Sequence, residues 1–191
     1  ALDRYRQMLT ILRRRHLKLI VTLHHFTGPL WFADRGGFAK EANIRFFVRY
    51  AAYAVQILKD LCDFWVTINE PNAYAAQGYV IGSSPPGERD IIRASQVLCN
   101  LVQAHVQAFY AIRRLQPEGQ IGYCLHYRLF DPANRLSPLD SSAAAVQDTF
   151  FNWAVLKAME TGRFTFPLNM LLAPVARAEA ARDYHGVNYY T

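Results

Sequence analysis

Asp63-Phe-Trp-Val-Thr-Ile-Asn-Glu-Pro-Asn72 is the stretch whose reading decides the fold. A short apolar run rich in β-branched and aromatic residues is the pattern of a strand covered on both faces. Pro71 cannot donate to a ladder and biases the preceding residue toward extended geometry, so the strand should stop at Glu70. A carboxylate is then presented at the carboxyl end of a parallel strand, where barrels and open α/β sheets place their chemistry.

Working outward, strands alternate with helices. Tyr5, Met8, Leu9 and Leu12 recur at the spacing of one helical stripe over 3–16, expected to pack on a sheet. A strand is predicted at 18–24, followed by a long loop through Gly36-Gly37 and a helix over 41–61. The strand 63–69 leads through Glu70 into a short helical stretch ending near Gly78. Ser83-Ser-Pro-Pro-Gly87 reads as a turn-rich loop. Asp90 is placed to cap a long helix to Leu115, with Pro117 and Gly119 beyond its end. A strand at 120–125, a helix at about 140–160 stopped by Gly162 and a last strand at 186–190 complete the series. Pro167 and Pro174 break up 163–183, leaving room for a short helix from Ala176 to Arg182. Such alternation implies parallel βαβ units, and four of them make half a barrel.

Thr67-Ile-Asn-Glu-Pro71 resembles the acid/base motif of family 1 glycoside hydrolases, the retaining β-glucosidase and β-galactosidase family. Leu19-Ile-Val-Thr-Leu-His-His-Phe26, with Pro29-Leu-Trp31 and Gly36-Gly37-Phe38, is similar to that family's third barrel strand and the loop after it. Gln120-Ile-Gly-Tyr-Cys-Leu125 resembles its fifth strand and Gly186-Val-Asn-Tyr-Tyr-Thr191 its sixth. The resemblance implies a partial TIM (β/α)8 barrel of about four βα units, one incomplete domain over 1–191. A full barrel takes about 250 residues, and this sequence has 191. Counterparts of the family's first two and last two strands are missing, and so is the Glu-Asn-Gly segment that carries the nucleophile.

The activity implied is hydrolysis of β-linked glycosides with retention. Such enzymes set two carboxyl groups about 5–5.5 Å apart, one of them a proton donor. By resemblance, Glu70 is the acid and then the base, and Asn69 binds the sugar 2-hydroxyl. His25 contacts a glycone hydroxyl, while His24, by strand alternation, faces the other way and reads as structural. Asn188 and Tyr190 match the end of the sixth strand, where the tyrosine hydroxyl orients the nucleophile. Trp31 reads equally as a sugar-stacking platform and as apolar packing. Three departures stand out. Phe26 and Asn72 take places where relatives often have Trp, and His126 replaces an Asn near the leaving group. Without the nucleophile segment, the isolated chain is expected to be weak or inactive. Asp34, Glu41, Glu88 and Asp131 have no motif support as substitutes.

Two other readings compete. His25, Glu70 and His126 could converge as metal ligands, although no compact motif such as His-Glu-x-x-His supports this. In that reading His185 precedes its strand and lies on the opposite rim. The chain could instead be a non-catalytic sugar-binding or barrel-half fragment that assembles with itself or with a complementing half. No metal or organic cofactor is implied.

Composition narrows the class further. With 52% apolar and 14% aromatic residues there is ample material for a core. The charge of +6 is densest at Arg13-Arg14-Arg15-His16 with Lys18, where cations complement a helix C-terminus. No nucleic-acid motif accompanies it. Cys62, Cys99 and Cys124 read as reduced core thiols. Neither a signal peptide nor a membrane span is visible, and a cytoplasmic location is expected.

Overall fold

The computed structural model describes residues 1–190; Thr191, the end of the last motif, lies outside the described residues. Four strands, β1 (Ile20–His24), β2 (Phe64–Asn69), β3 (Gln120–Tyr127) and β4 (Tyr184–Tyr189), form one parallel sheet in chain order. β1 and β4 are its edges. Helices fill the crossovers: α1 (Leu2–Arg13), α2 (Leu30–Asp34), α3 (Ile44–Leu58), α4 (Pro71–Ala75), α5 (Ile91–Leu115), α6 (Pro138–Asp148) and α7 (Ala154–Thr161).

α3 and α5 cover one face of the sheet because their apolar stripes match it. α3 buries Ile44, Phe47, Ala51, Val55 and Leu58. α5 starts where Asp90 accepts hydrogen bonds from the backbone of Ile92 (2.9 Å) and Arg93 (3.0 Å), as its capping position predicts. On this face Trp65 is fully buried and donates to Gln116 Oε1 at 2.8 Å. The Gln116 amide in turn donates to the carbonyls of Lys59 (3.1 Å) and Cys62 (2.9 Å). One side chain thus joins the ends of α3 and α5 to the start of β2.

On the other face, Thr22, Val66, Gly122 and Tyr184 stand in register across the sheet. Gly122 is required there. A Cβ would collide with the Tyr184 carbonyl and come within 2.9 Å of its ring. Tyr184 uses that space to reach across β3 and donate its hydroxyl to the Trp65 carbonyl at 3.1 Å.

Several expectations are corrected. The α1 stripe is only partly buried: α1 lies against α3, Leu9 joins the core and Leu12 packs against it, whereas Tyr5 and Met8 are exposed. Periodicity finds the apolar face but says nothing of which element is available to cover it. The basic cluster does more than complement the helix end, since Arg13 binds both oxygens of Asp63 at 2.5 and 2.7 Å. The loop after β1 contains α2 and a 3₁₀ turn at Gly37–Ala39. The 140–160 helix is divided by a π-helical stretch at Thr149–Trp153. Residues 176–182 form turns rather than a helix. Arg177 has φ 63°, and the Ala181 carbonyl is taken by a side chain from α5. β4 begins at Tyr184, so His185 lies within the strand and not before it.

Candidate active site

The polar residues converge where β2 ends. Pro71 stops the strand as expected and becomes the first residue of α4, but Glu70 is not extended. It adopts a left-handed conformation (φ 48°, ψ 58°), which a non-glycine residue keeps only when its surroundings over-determine it. Three elements do so. The Glu70 N–H donates to the Cys124 carbonyl on β3 at 2.8 Å, and its own carbonyl accepts from Tyr74 at 2.9 Å. From β4 and the residue after it, Asn188 Nδ2 (2.7 Å) and the Tyr190 hydroxyl (3.0 Å) both donate to Glu70 Oε1.

Glu70 is 4% exposed. Its second oxygen, Oε2, faces His126 Nδ1 at 3.7 Å. The His126 ring packs edge-on against Tyr190 and Phe151, with centroids 4.9 and 5.3 Å away. Asn69 is also buried. Its Oδ1 accepts from Asn188 at 3.0 Å, whereas its Nδ2 has no hydrogen-bond partner among the described residues. The phenol of Tyr190 is raised above its ordinary pKa by its bond to Glu70 and by the charge of that carboxyl. The Cys124 thiol is raised by burial and then by Glu70.

Glu70, Asn69, Asn188, Tyr190 and His126 therefore form one contiguous group. Tyr190, expected from the resemblance to orient a second carboxylate, bonds to Glu70 itself. His25 follows the end of β1, exposed and edge-on to Phe26 at 5.2 Å, and no hydrogen bond joins it to the group. Trp31 lies in α2, edge-on to Phe32 (5.9 Å) and Phe46 (5.4 Å), and is half exposed. His25, Glu70 and His126 do not converge as a ligand set. Among the described residues there is no group of three or more His, Cys, Asp or Glu placed to hold a metal ion.

Two devices escaped the sequence reading. Asn72, noted only as a departure, donates to the carbonyls of His126 (2.7 Å) and Phe151 (2.9 Å) and accepts from the His126 N–H at 3.4 Å. Asn152 treats Arg128 in the same way, donating to its carbonyl at 2.6 Å and accepting from its N–H at 3.1 Å. Side-chain amides thus take the place of a neighbouring strand for alternate residues where β3 leaves the sheet. The second device is buried. Thr67 Oγ1 and His105 Nδ1 are 2.5 Å apart, and His105 Nε2 bonds to the Ala181 carbonyl at 2.6 Å. A carbonyl only accepts, so Nε2 carries the proton and Thr67 donates to Nδ1. Burial lowers the pKa of His105 to about 4. The available signal was a single threonine in the apolar run of β2 and a single histidine in Ala104-His105-Val106, two buried polar groups that need partners.

The sequence matches the model of glycosyl hydrolase family 1 over residues 1–190. It is 28% identical over 205 residues to a 6-phospho-β-galactosidase of Streptococcus mutans, covering 97% of this chain and 44% of that protein. It is also 28% identical to a β-galactosidase of Sulfolobus acidocaldarius, covering 100% and 40%. Among solved structures, the family 1 β-glucosidase from Thermotoga maritima superposes with a TM-score of 0.90 at 26% identity, over 100% of this chain and 45% of that one. A β-glycosidase from Pyrococcus horikoshii gives 0.88 at 32% identity, over 100% and 43%. The chain spans less than half the length of these relatives, so its sheet corresponds to part of a TIM barrel. No helix among the described residues is long and apolar enough to cross a membrane.

Proposed function

The chain belongs to glycosyl hydrolase family 1, and from that premise we propose that it supplies the acid/base side of a retaining β-glycosidase site. The observation that carries the reading is the asymmetry around Glu70. Both donors, Asn188 and Tyr190, are spent on Oε1. A proton on Glu70 therefore belongs on Oε2, the oxygen left free to protonate a glycosidic oxygen and later to activate water. Asn69 Nδ2, buried and without a partner among the described residues, is assigned to a sugar hydroxyl. His25, Asn188, Trp31 and His126 complete the proposed sugar contacts. Thermotoga maritima β-glucosidase structures that hold deoxynojirimycin and glucoimidazole support a sugar-like ligand for this architecture. A cytoplasmic location belongs to the same proposal, supported by three free cysteines.

Retention requires a second carboxylate as nucleophile, and among the described residues none in Glu70's hydrogen-bonding circle is an acid. The 191-residue chain alone should hydrolyse 4-nitrophenyl β-glucoside far below the usual enzyme range of about 1–1000 per second, and Glu70→Gln should remove what activity remains. Turnover at ordinary rates would mean that a carboxylate within the chain serves as nucleophile. Turnover unaffected by Glu70→Gln would remove Glu70 from the mechanism.

A second reading is favoured by the sheet edges. Ile20, Val187 and Tyr189 on β1 and β4 are each more than half exposed, as suits a barrel half that binds sugar or closes against another copy or a complementing chain. In that case Glu70→Gln keeps sugar affinity unchanged.

A further inference from the structure

Asn72 and His126 each stand out in the sequence, and in the structure they are partners. Asn72 is buried two residues beyond Glu70 and grips the His126 backbone with both of its polar groups, donating to the carbonyl at 2.7 Å and accepting from the N–H at 3.4 Å. The His126 ring is held edge-on by Phe151 and Tyr190, with centroids 5.3 and 4.9 Å away. Backbone and ring are fixed together, and the consequence is the placement of one atom. Nδ1 stands 3.7 Å from Glu70 Oε2. That is beyond a hydrogen bond but within the reach at which one charge alters the titration of another.

Among the described residues no other group is bonded to this oxygen, because Asn188 and the Tyr190 hydroxyl both donate to Oε1. The other charged and titratable groups around His126 are engaged elsewhere. Arg128 stacks on Phe130 at 6.0 Å, and Asp148 is taken by Asn152 (2.6 Å) and Trp153 (2.8 Å). Cys124 and Tyr190 are raised above their ordinary pKa values, so both stay neutral where a carboxyl and an imidazole titrate. The side chains of Glu70 and His126 are only 5% and 19% exposed, and solvent ions screen such a pair weakly.

We propose that His126 is the positioning residue that sets the charge of Glu70, the two titrating as a coupled pair. An imidazolium beside Oε2 holds Glu70 as the carboxylate, the form that activates water. A neutral imidazole releases that hold and leaves Oε2 free to carry the proton given to a leaving oxygen. This consequence rests on the acid/base reading of Glu70; the coupling itself does not.

The test is an NMR titration of the 191-residue chain with carbon-13 at its glutamate carboxyls, followed together with the imidazole resonances of His126. The Glu70 carboxyl should move in two steps, the second coinciding with the imidazole step. His126→Phe keeps an aromatic ring against Tyr190 and should leave a single step. Glu70→Gln keeps the size and removes the charge, and should shift the imidazole step to lower pH, as loss of a neighbouring anion requires. Should His126→Phe fail to fold, the wild-type titration and Glu70→Gln still decide. A one-step carboxyl titration in the wild type, or an imidazole step unmoved by Glu70→Gln, would overturn the proposal. Neither readout needs turnover. Coupled titration together with hydrolysis indifferent to Glu70→Gln would keep the pairing and remove only the glycosidase reading.

Discussion

Replacing His105 by Gln should flatten the acid limb of the protein's stability curve. In the folded chain His105 is buried and bonded at both nitrogens, and its pKa falls from the ordinary 6.5 to about 4. Because the folded value is the depressed one, the unfolded chain binds the extra proton between these pH values. Stability is full above about pH 6.5, declines as the pH falls toward 4, and levels off below. At about 1.4 kcal/mol per pH unit, the separation is worth about 3 kcal/mol. That is a large share of the roughly 5–15 kcal/mol typical of a domain. Gln can donate to the Ala181 carbonyl and accept from Thr67, so the variant should fold while removing this titration. The assay is urea unfolding at pH 7 and at pH 4.5, comparing the loss of unfolding free energy in wild type and variant. His24, also lowered to about 4, supplies a second limb of similar size that the variant retains. The wild type should therefore lose roughly twice as much as the variant. Equal losses in the two proteins would refute the reasoning.

Gly122→Ala should destabilise by about 1–3 kcal/mol, because the new methyl group displaces the Tyr184 carbonyl and ring and breaks the hydroxyl bond to Trp65; thermal unfolding reads this directly. Asn72→Ala leaves the His126 and Phe151 carbonyls without their donor, at about 1–3 kcal/mol. Hydrogen exchange at the His126 amide should accelerate while β1 remains protected. Light scattering at micromolar concentration should show self-association through the β1 and β4 edges, and a strictly monomeric species would contradict it.

The strands were legible because period and composition agree in them. β2 is an apolar β-branched run closed by Pro71, and it occupies Phe64–Asn69, one residue from the expected start. β4 was read two residues late, since Tyr184 and His185 carry no apolar alternation, and what recruits them is pairing with Gly122 and Tyr123. The alanine-rich 176–182 stretch has helical propensity, which tertiary structure overrides: Ala178 and Ala181 are buried as turns, and Ala181's carbonyl belongs to His105. The conformation of Glu70 was not legible. The bias of a pre-proline residue toward extended geometry is local, and here it yields to contacts from β3 and β4 more than 50 residues away in sequence.

The candidate site is consequently a property of strand register rather than of any one motif. Asn188 meets Glu70 because β4 pairs with β3 so that His126 faces Asn188 and Cys124 faces Gly186. A slip of one residue would turn Asn188 and Tyr190 to the opposite face of the sheet. Two glycines hold that register by exclusion. At Gly122 the space of a side chain is used by Tyr184, and at Gly186 a Cβ would lie 2.5 Å from Cys124 Sγ. Neither position tolerates a displaced partner without a steric clash. The carboxylate visible in Asn-Glu-Pro therefore depends for its orientation on small residues in two other strands, and a substitution at Gly186 should disorder the Glu70 hydrogen bonds without touching Glu70 itself.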